Sequence, residues 1–339
     1  MRIASRVLVV VLVLLAAAWA AAAIWVDGPE SRSLAGVVAG AASLAVVYAL
    51  VRQRPWWRAA VAGSVPFVIV LAWWLTLEPR NDRDWQSDVA RAPSATVDGS
   101  SLIIRNVRSF VHRADGDPVE RWETRTYDLD KIVGADLFIS FWGPTLYGHT
   151  IASWEFADGQ HLAISIETRK EKGEQYSAVR GFFRQFELYY VVADERDVIA
   201  LRTNRRRERV QLYRTAGSPE EDRALLLEYV KAMNALVDRP RWYNALTHNC
   251  TTTIWNHVKA LDADDPFDWR LLANGYLVDL AYELGSVDTS TSLDELKRRS
   301  DITTRAREAG EGEDFSRAIR RGLPPRPTGG IAGRSPGGA

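Results

Sequence analysis

The sequence predicts an α+β domain that follows three membrane-spanning helices. Three long runs of uncharged apolar residues occupy the first quarter of the 339-residue chain. The remainder mixes short strand-like patterns with longer helix-like ones. A balance of 43 basic and 43 acidic side chains gives no argument for a nucleic-acid partner.

The apolar runs cover residues 7–26, 33–51 and 59–77, each close to the roughly 20 residues that cross a bilayer core. The linker between the second and third runs carries only basic charges, whereas the first linker carries more acidic than basic residues. The positive-inside rule therefore places the amino terminus in the cytoplasm and everything after Leu77 outside it. A cleaved signal peptide is the alternative for the first run, because Ala16–Ala18 and Ala20–Ala23 offer the small residues of a cleavage site.

A soluble domain is predicted over residues 79–300. Apolar runs bounded by turn residues predict strands, and Asp158-Gly159 joins two of them in a hairpin. Because Gly and Pro dominate the end of the chain, residues 301–339 are expected to form a tail that is disordered from about residue 322. The strands are 101–107, 124–129, 135–142, 151–156, 161–167, 186–193 and 208–213, and the helices are 218–236, one that starts at Cys250, 271–284 and 293–299.

Cys250 is the only cysteine and the candidate nucleophile. A thiolate attacks carbonyl groups, and the start of a helix lowers a cysteine pKa because its free N–H groups favour negative charge. The alternative is that Cys250 is merely a small buried apolar residue. A free thiol outside the cytoplasm is an oxidation liability, which favours a chemical role.

A histidine is the expected base for this thiol, since imidazole accepts a proton near neutral pH. His149 is the candidate because it follows a Gly-Pro break and enters a strand, where sites are commonly assembled. The other imidazoles are His112, His161, His248 and His257.

A third group usually orients the imidazole. Glu167 is favoured because it ends an apolar strand across the hairpin from His149. It could instead pair with Arg169 or Lys170 at the surface. The other nearby carboxylates are Glu155 and Asp158.

Several separated motifs resemble one bacterial family, the Lnb N-terminal periplasmic domain family, which is named for a lipoprotein N-acyltransferase. Together they span about residues 81–257. They are Asn81–Trp85, Arg121–Leu129, Gly148–Thr150, Ser153–Phe156, Ser165–Glu174, Gly181–Leu188, Asp194–Asp197 and Tyr243–Thr252.

The resemblance implies a permuted papain-like, NlpC-type thiol fold in which the histidine strand precedes the cysteine helix. Cys250 and His149 match the presumed nucleophile and base, and Glu167 is carried over as the third residue. Contacts to the substrate or the oxyanion are expected from Asn249, Thr251, Ser165 and Arg169. We expect no metal and no cofactor.

The implied function is thiol acyl transfer in the periplasm, at the outer face of the bacterial inner membrane. A phospholipid would donate an acyl chain through a Cys250 thioester to the amino terminus of a lipoprotein. In the named acyltransferase further membrane segments are expected after the thiol domain, whereas here the spans precede it. The alternatives are a hydrolase acting on lipid esters or cell-wall peptides, and a non-catalytic membrane scaffold.

A run of arginines, Arg202 and Arg205–Arg207, is a candidate site for anionic head groups. Such a run is more often a solvated face of the protein.

Overall fold

The structure is a computed structural model that describes residues 2–112, 118–261, 267–310, 312 and 314–327. The chain forms two compact units. The first contains residues 1–80 and 176–187, and the second contains residues 81–175 and 188–339.

Three apolar helices make up most of the first unit: α1 (Arg2–Asp27), α2 (Arg32–Arg52) and α3 (Trp56–Leu75). Each is long and apolar enough to cross a membrane. They overlap the three predicted spans. A helix satisfies its own backbone hydrogen bonds, as a segment in lipid must. The apolar side chains on the outer surfaces of these helices are those that a bilayer core accepts.

Residues 176–187 return to this helical unit, which the sequence did not indicate. Phe183 lies in one apolar cluster with Ala20 and Val70. The Arg184 guanidinium lies over the Trp74 ring, 4.3 Å from its centroid. The segment is thus packed on the helices by one aromatic and one cationic side chain.

The second unit is built on an eight-stranded sheet with the order β1-β2-β7-β6-β5-β4-β8, and β3 pairs with β2. The pairs β1–β2, β2–β3, β4–β5, β4–β8 and β5–β6 are antiparallel, whereas β2 and β7 are parallel. The strands are β1 (Ser94–Asp98), β2 (Ser101–Arg108), β3 (Trp122–Asp128), β4 (Ile132–Phe141), β5 (His149–Phe156), β6 (His161–Arg169), β7 (Glu187–Ala193) and β8 (Arg209–Arg214).

Helices cover both faces of this sheet, so the predicted α+β class is confirmed. Successive side chains of β5 point to opposite faces. Ile151 lies in the apolar cluster that contains Val198, whereas Trp154 packs edge-on against Tyr229 on the other face. The helices are α4 (Glu195–Ala200), α5 (Pro219–Asp238), α6 (Cys250–Lys259), α7 (Leu277–Glu283), α8 (Leu293–Arg299), α9 (Thr303–Ala309) and α10 (Phe315–Ile319).

The sequence analysis expected a tail from residue 301, but the structure has two packed helices, α9 and α10, before residue 327. Ile302, Ala306, Phe315 and Ile319 are at most 2% exposed and belong to the core against the sheet. Apolar residues four positions apart give α9 and α10 one buried face each. Residues 328–339, where most of the expected disorder falls, lie outside the described part of the chain.

Candidate functional site

Cys250 is the first residue of α6, and Asn249 caps that helix. The Asn249 side-chain oxygen accepts hydrogen bonds from the N–H groups of Thr251 and Thr252, both at 2.9 Å. The Thr252 hydroxyl accepts in return from the Asn249 N–H at 3.0 Å. This reciprocal capping box fixes the position of the thiol at the positive end of the helix.

His149 is the first residue of β5 and forms a hydrogen bond with Cys250. Burial by itself raises the pKa of the Cys250 thiol, but the charge and hydrogen bond of His149 lower that pKa to about 6. The N–H and hydroxyl of Thr150 act in the same direction. The sulfur is therefore poised to be a thiolate at neutral pH.

The other side of the imidazole faces an acid. His149 Nε2 lies 2.7 Å from the Ser165 hydroxyl and 3.0 Å from Glu167 Oε1. Ser165 donates its own proton to Glu167 at 2.8 Å, so it accepts from Nε2. This leaves Nδ1 of His149 for the proton of the thiol.

Charges around the imidazole favour its protonated form. Burial and the nearby Arg202 guanidinium lower the pKa of His149, but Glu167 and the sulfur raise it, and the net direction is upward. Burial raises the pKa of Glu167, whereas His149 and Arg202 hold it well below its ordinary value. The thiolate of Cys250, the imidazolium of His149 and the carboxylate of Glu167 thus lie in series.

Arg202 belongs to this site and not to an exposed basic patch. It is 5% exposed and donates to Glu167 at 2.9 Å and to Glu208 at 3.1 Å. Ser140 donates a further hydrogen bond to Glu208. Of the run considered for head groups, Arg205–Arg207 remain exposed.

Asn274 is a site residue that the sequence analysis missed. Its side-chain oxygen accepts from the Gly148 N–H at 2.8 Å, and its nitrogen donates to the Gly148 carbonyl at 2.6 Å and to the Thr251 hydroxyl at 2.8 Å. That nitrogen lies 3.9 Å from the Cys250 sulfur. Asn274 therefore joins the residue before His149 to the residue after Cys250.

Two of the predicted substrate contacts have other roles in the structure. The Asn249 side-chain oxygen accepts the capping hydrogen bonds, and its side-chain nitrogen donates to the Ala245 carbonyl, 2.8 Å away. Asn249 therefore does not face an oxyanion. Arg169 is 3% exposed. It donates to backbone carbonyls of Val89 and Ala90. Ser165 and Thr251, in contrast, lie beside the histidine and the cysteine.

The four other histidines have their own partners. His257 of α6 is buried, 2.8 Å from the Tyr190 hydroxyl, and burial lowers its pKa to about 4. Burial also lowers the pKa of His248, which contacts Thr247. His112 pairs with Asp197, and His161 contacts the carbonyl of Gly159.

The described residues include no group of three or more His, Cys, Asp or Glu side chains that could hold a metal ion. What they do bring together is a thiol at a helix start, a histidine and a carboxylate. That set defines a thiol site of the cysteine–histidine–acid class.

Residues 119–275 match the model of the Lnb N-terminal periplasmic domain family. The match covers just under half of the chain and confirms the resemblance seen in the sequence. The match contains His149, Glu167, Cys250 and Asn274, and it begins and ends later than the motifs suggested. No curated protein and no solved structure matches the chain. With its three candidate membrane helices, the chain fits a membrane protein with a periplasmic domain.

Proposed function

We propose that this protein is a membrane-anchored thiol acyltransferase. The observation that carries the proposal is the series Cys250, His149 and Glu167, in which the sulfur pKa is lowered to about 6. A scaffold without chemistry has no need of a buried thiol in contact with a histidine and an acid. The contact therefore favours an enzyme over the scaffold.

In the first step the Cys250 thiolate attacks an ester carbonyl of a phospholipid, and the thiol proton resides on His149. The carbonyl oxygen becomes an oxyanion. Among the described residues, no acceptor lies on the N–H of Cys250, whereas the N–H groups of Thr251, Thr252 and Thr253 all bond to Asn249. The Cys250 N–H is thus the donor available for the oxyanion.

Collapse of this intermediate breaks the bond to the glycerol oxygen. His149 returns its proton to that oxygen, a lysophospholipid leaves, and a thioester remains on Cys250. In the second step an amine attacks the thioester, its proton passes to His149, and the carbon–sulfur bond breaks. Glu167 holds the imidazole in position throughout.

The acceptor we propose is the α-amino group of a lipoprotein amino terminus at the periplasmic face of the inner membrane. Two features support this choice. The matched family is periplasmic, and three candidate spans keep the domain at the bilayer, which raises the local concentration of lipid-anchored partners. A hydrolase of the same fold would use the same first step and then transfer the acyl group to water.

The test uses the full chain in liposomes that contain one phospholipid with a defined acyl chain. Mass spectrometry should find that chain on Cys250, released by hydroxylamine as expected for a thioester. Addition of a diacylglyceryl-cysteinyl peptide should clear the adduct and yield acylated peptide. Free fatty acid without acylated peptide would identify a hydrolase, and an unmodified Cys250 with no product would contradict both enzymes.

Orientation in the membrane is tested separately. A reporter that is active only outside the cytoplasm should be active when fused after Gly99 and inactive when fused between Arg52 and Arg58. The opposite pattern would place the thiol in the cytoplasm, away from periplasmic lipoproteins.

A further inference from the structure

We propose that six exposed apolar side chains around Cys250, five of them aromatic, dock into the interfacial region of the lipid bilayer. We call this set the aromatic rim. Docking of this kind does not require acyl transfer, because a lipid hydrolase would use the same surface. The rim consists of Trp142, Tyr147, Leu246, Phe267, Trp269 and Tyr276.

The rim comes from three segments that meet at the thiol. The segment before β5 and the segment before α7 are joined by a hydrogen bond from the Gly275 N–H to the Leu146 carbonyl, at 3.1 Å. Asn274 adds its bonds to Gly148 and lies 3.9 Å from the Cys250 sulfur. The third segment is the loop closed by the bridge between Asn244 and His248, directly before Cys250.

These side chains are far more exposed than core residues of the same type. Trp142, Tyr147, Phe267 and Trp269 are 56%, 57%, 55% and 58% exposed. Leu246 is 50% exposed. Large exposed apolar groups on segments that converge at one site are typical of interaction surfaces.

Composition favours a lipid interface over an apolar protein groove. Four of the six rim residues are Trp or Tyr, whose rings prefer the boundary between hydrocarbon and water. The rings also support one another: the Trp269 and Tyr276 centroids are 5.6 Å apart, and Phe267 packs edge-on against Trp255 at 5.7 Å. Lys259 lies over the Trp255 ring and provides a cation for anionic head groups.

The candidate membrane helices tether the thiol-bearing unit to a bilayer. Only residues 76–80 separate the end of α3 at Leu75 from the start of the thiol-bearing unit at Asn81. The chain returns to the helical unit at residues 176–187. The thiol-bearing unit is therefore held at a membrane by more than one connection, so a lipid surface is the partner always within reach.

The test exploits the single cysteine. Cys250→Ser gives a full-length chain without cysteine, and one new cysteine is then introduced by Tyr147→Cys or by Trp269→Cys. The matched control is Val97→Cys, a 45% exposed position in the edge strand β1, which β2, β7 and β6 separate from β5. Each variant receives a nitroxide label and is placed in nanodiscs of phosphatidylethanolamine and phosphatidylglycerol.

Collision of the label with oxygen and with a water-soluble nickel complex reports its depth in the bilayer. Labels at 147 and 269 should be accessible to oxygen and protected from nickel, whereas the label at 97 should behave as in water. Water-like accessibility at 147 and 269 would overturn the proposal. Spin–spin broadening at these two positions, with protection that persists without lipid, would assign the rim to a second copy and overturn it as well.

A second measurement needs no label. Brominated phospholipids should quench less of the tryptophan fluorescence in the Trp142→Phe/Trp269→Phe chain than in the unaltered chain. Equal quenching would contradict lipid docking. Because neither measurement follows acyl chemistry, failure of the rim is distinguishable from failure of the acyltransferase.

Discussion

Glu167 lies opposite His149 across the β5–β6 pair, with its Oε1 atom 3.0 Å from Nε2. Ile151 pairs with Ser165 in this antiparallel register, and one further step of two residues aligns position 149 with position 167. The hairpin turn at Asp158-Gly159 sets that register. A turn far from the thiol thus determines which acid meets the base.

Replacing Glu167 with Gln should raise the pKa of the Cys250 thiol. The carboxylate raises the pKa of His149 and so stabilises the imidazolium that pairs with the thiolate. We expect an upward shift of about one pKa unit in the pH profile of alkylation by iodoacetamide, a tenfold loss of thiolate where the profile is steep. The control is Glu228→Gln, which removes a surface partner of Lys231. An unchanged profile would show that Glu167 has only a structural role.

His149→Gln should slow formation of the Cys250 thioester by about 10²–10⁴-fold, because it removes the proton acceptor. The adduct is quantified by mass spectrometry at fixed times. His248→Gln is the matched control, since His248 is two positions from the cysteine but contacts Thr247. If His248→Gln is the slower variant, the base has been misassigned.

Alkylation of Cys250 should titrate near pH 6, the value to which His149 lowers the thiol pKa. An ordinary cysteine titrates at about 8.5. The pKa of the Cys250 thiol is lower in the folded chain than in the unfolded chain, so ionisation of the thiol stabilises the fold. This stabilisation is complete above the unfolded pKa and is lost as the pH falls toward 6. A reactivity midpoint above about 8 would contradict a thiolate held by His149.

Asn274→Ala should lower kcat in a chain that still folds. The variant loses three hydrogen bonds that tie Gly148 to Thr251, at a cost of about 1–3 kcal/mol in the free energy of unfolding. The expected kinetic effect is a lower kcat with little change in KM, because the base and the thiol lose their alignment. Asn256→Ala, at an exposed position of α6, should change neither. A normal kcat in a folded Asn274→Ala chain would exclude a positioning role.

Arg320→Ala should destabilise the thiol-bearing unit by about 3–5 kcal/mol, because buried Glu195 loses its ion-pair partner and buried Asp136 keeps only Arg326 and Arg214. The guanidinium donates to Asp136 at 2.7 Å and to Glu195 at 2.6 Å. Thermal unfolding of the full chain measures the loss. Arg317→Ala is the control, since that side chain is 73% exposed. Equal melting temperatures would mean that the segment after residue 301 contributes nothing to the fold.

Local patterns predicted most of the fold and part of the site. The long apolar runs gave the membrane helices, and the Asp158-Gly159 turn gave the hairpin that carries His149 and Glu167. Asn249 is a favoured N-cap residue, which is why the start of α6 at Cys250 could be read from the sequence. These features depend on residues close together along the chain.

Features that depend on distant contacts were missed. Asn274 lies in a stretch predicted as helical, but α7 begins only at Leu277. No periodicity marks an amide that bonds to residue 148. Arg202 could not be distinguished from its exposed neighbours in the sequence, because what sets it apart is its pairing with the distant carboxylate of Glu167 and with Glu208. The short helices α9 and α10 each carry too few apolar residues for their burial to be evident from the sequence.

The low pKa of His257 has a consequence for spectroscopy of the thiol. Burial keeps this imidazole neutral down to about pH 4, and the pKa of His248 is also lowered. The segment around Cys250 therefore contains one imidazole, His257, that stays neutral down to about pH 4, and a second, His248, whose pKa lies below the ordinary histidine value. Proton resonances of a charged imidazole that shift on alkylation of the sulfur would then identify His149 directly, without mutation of any residue near the thiol.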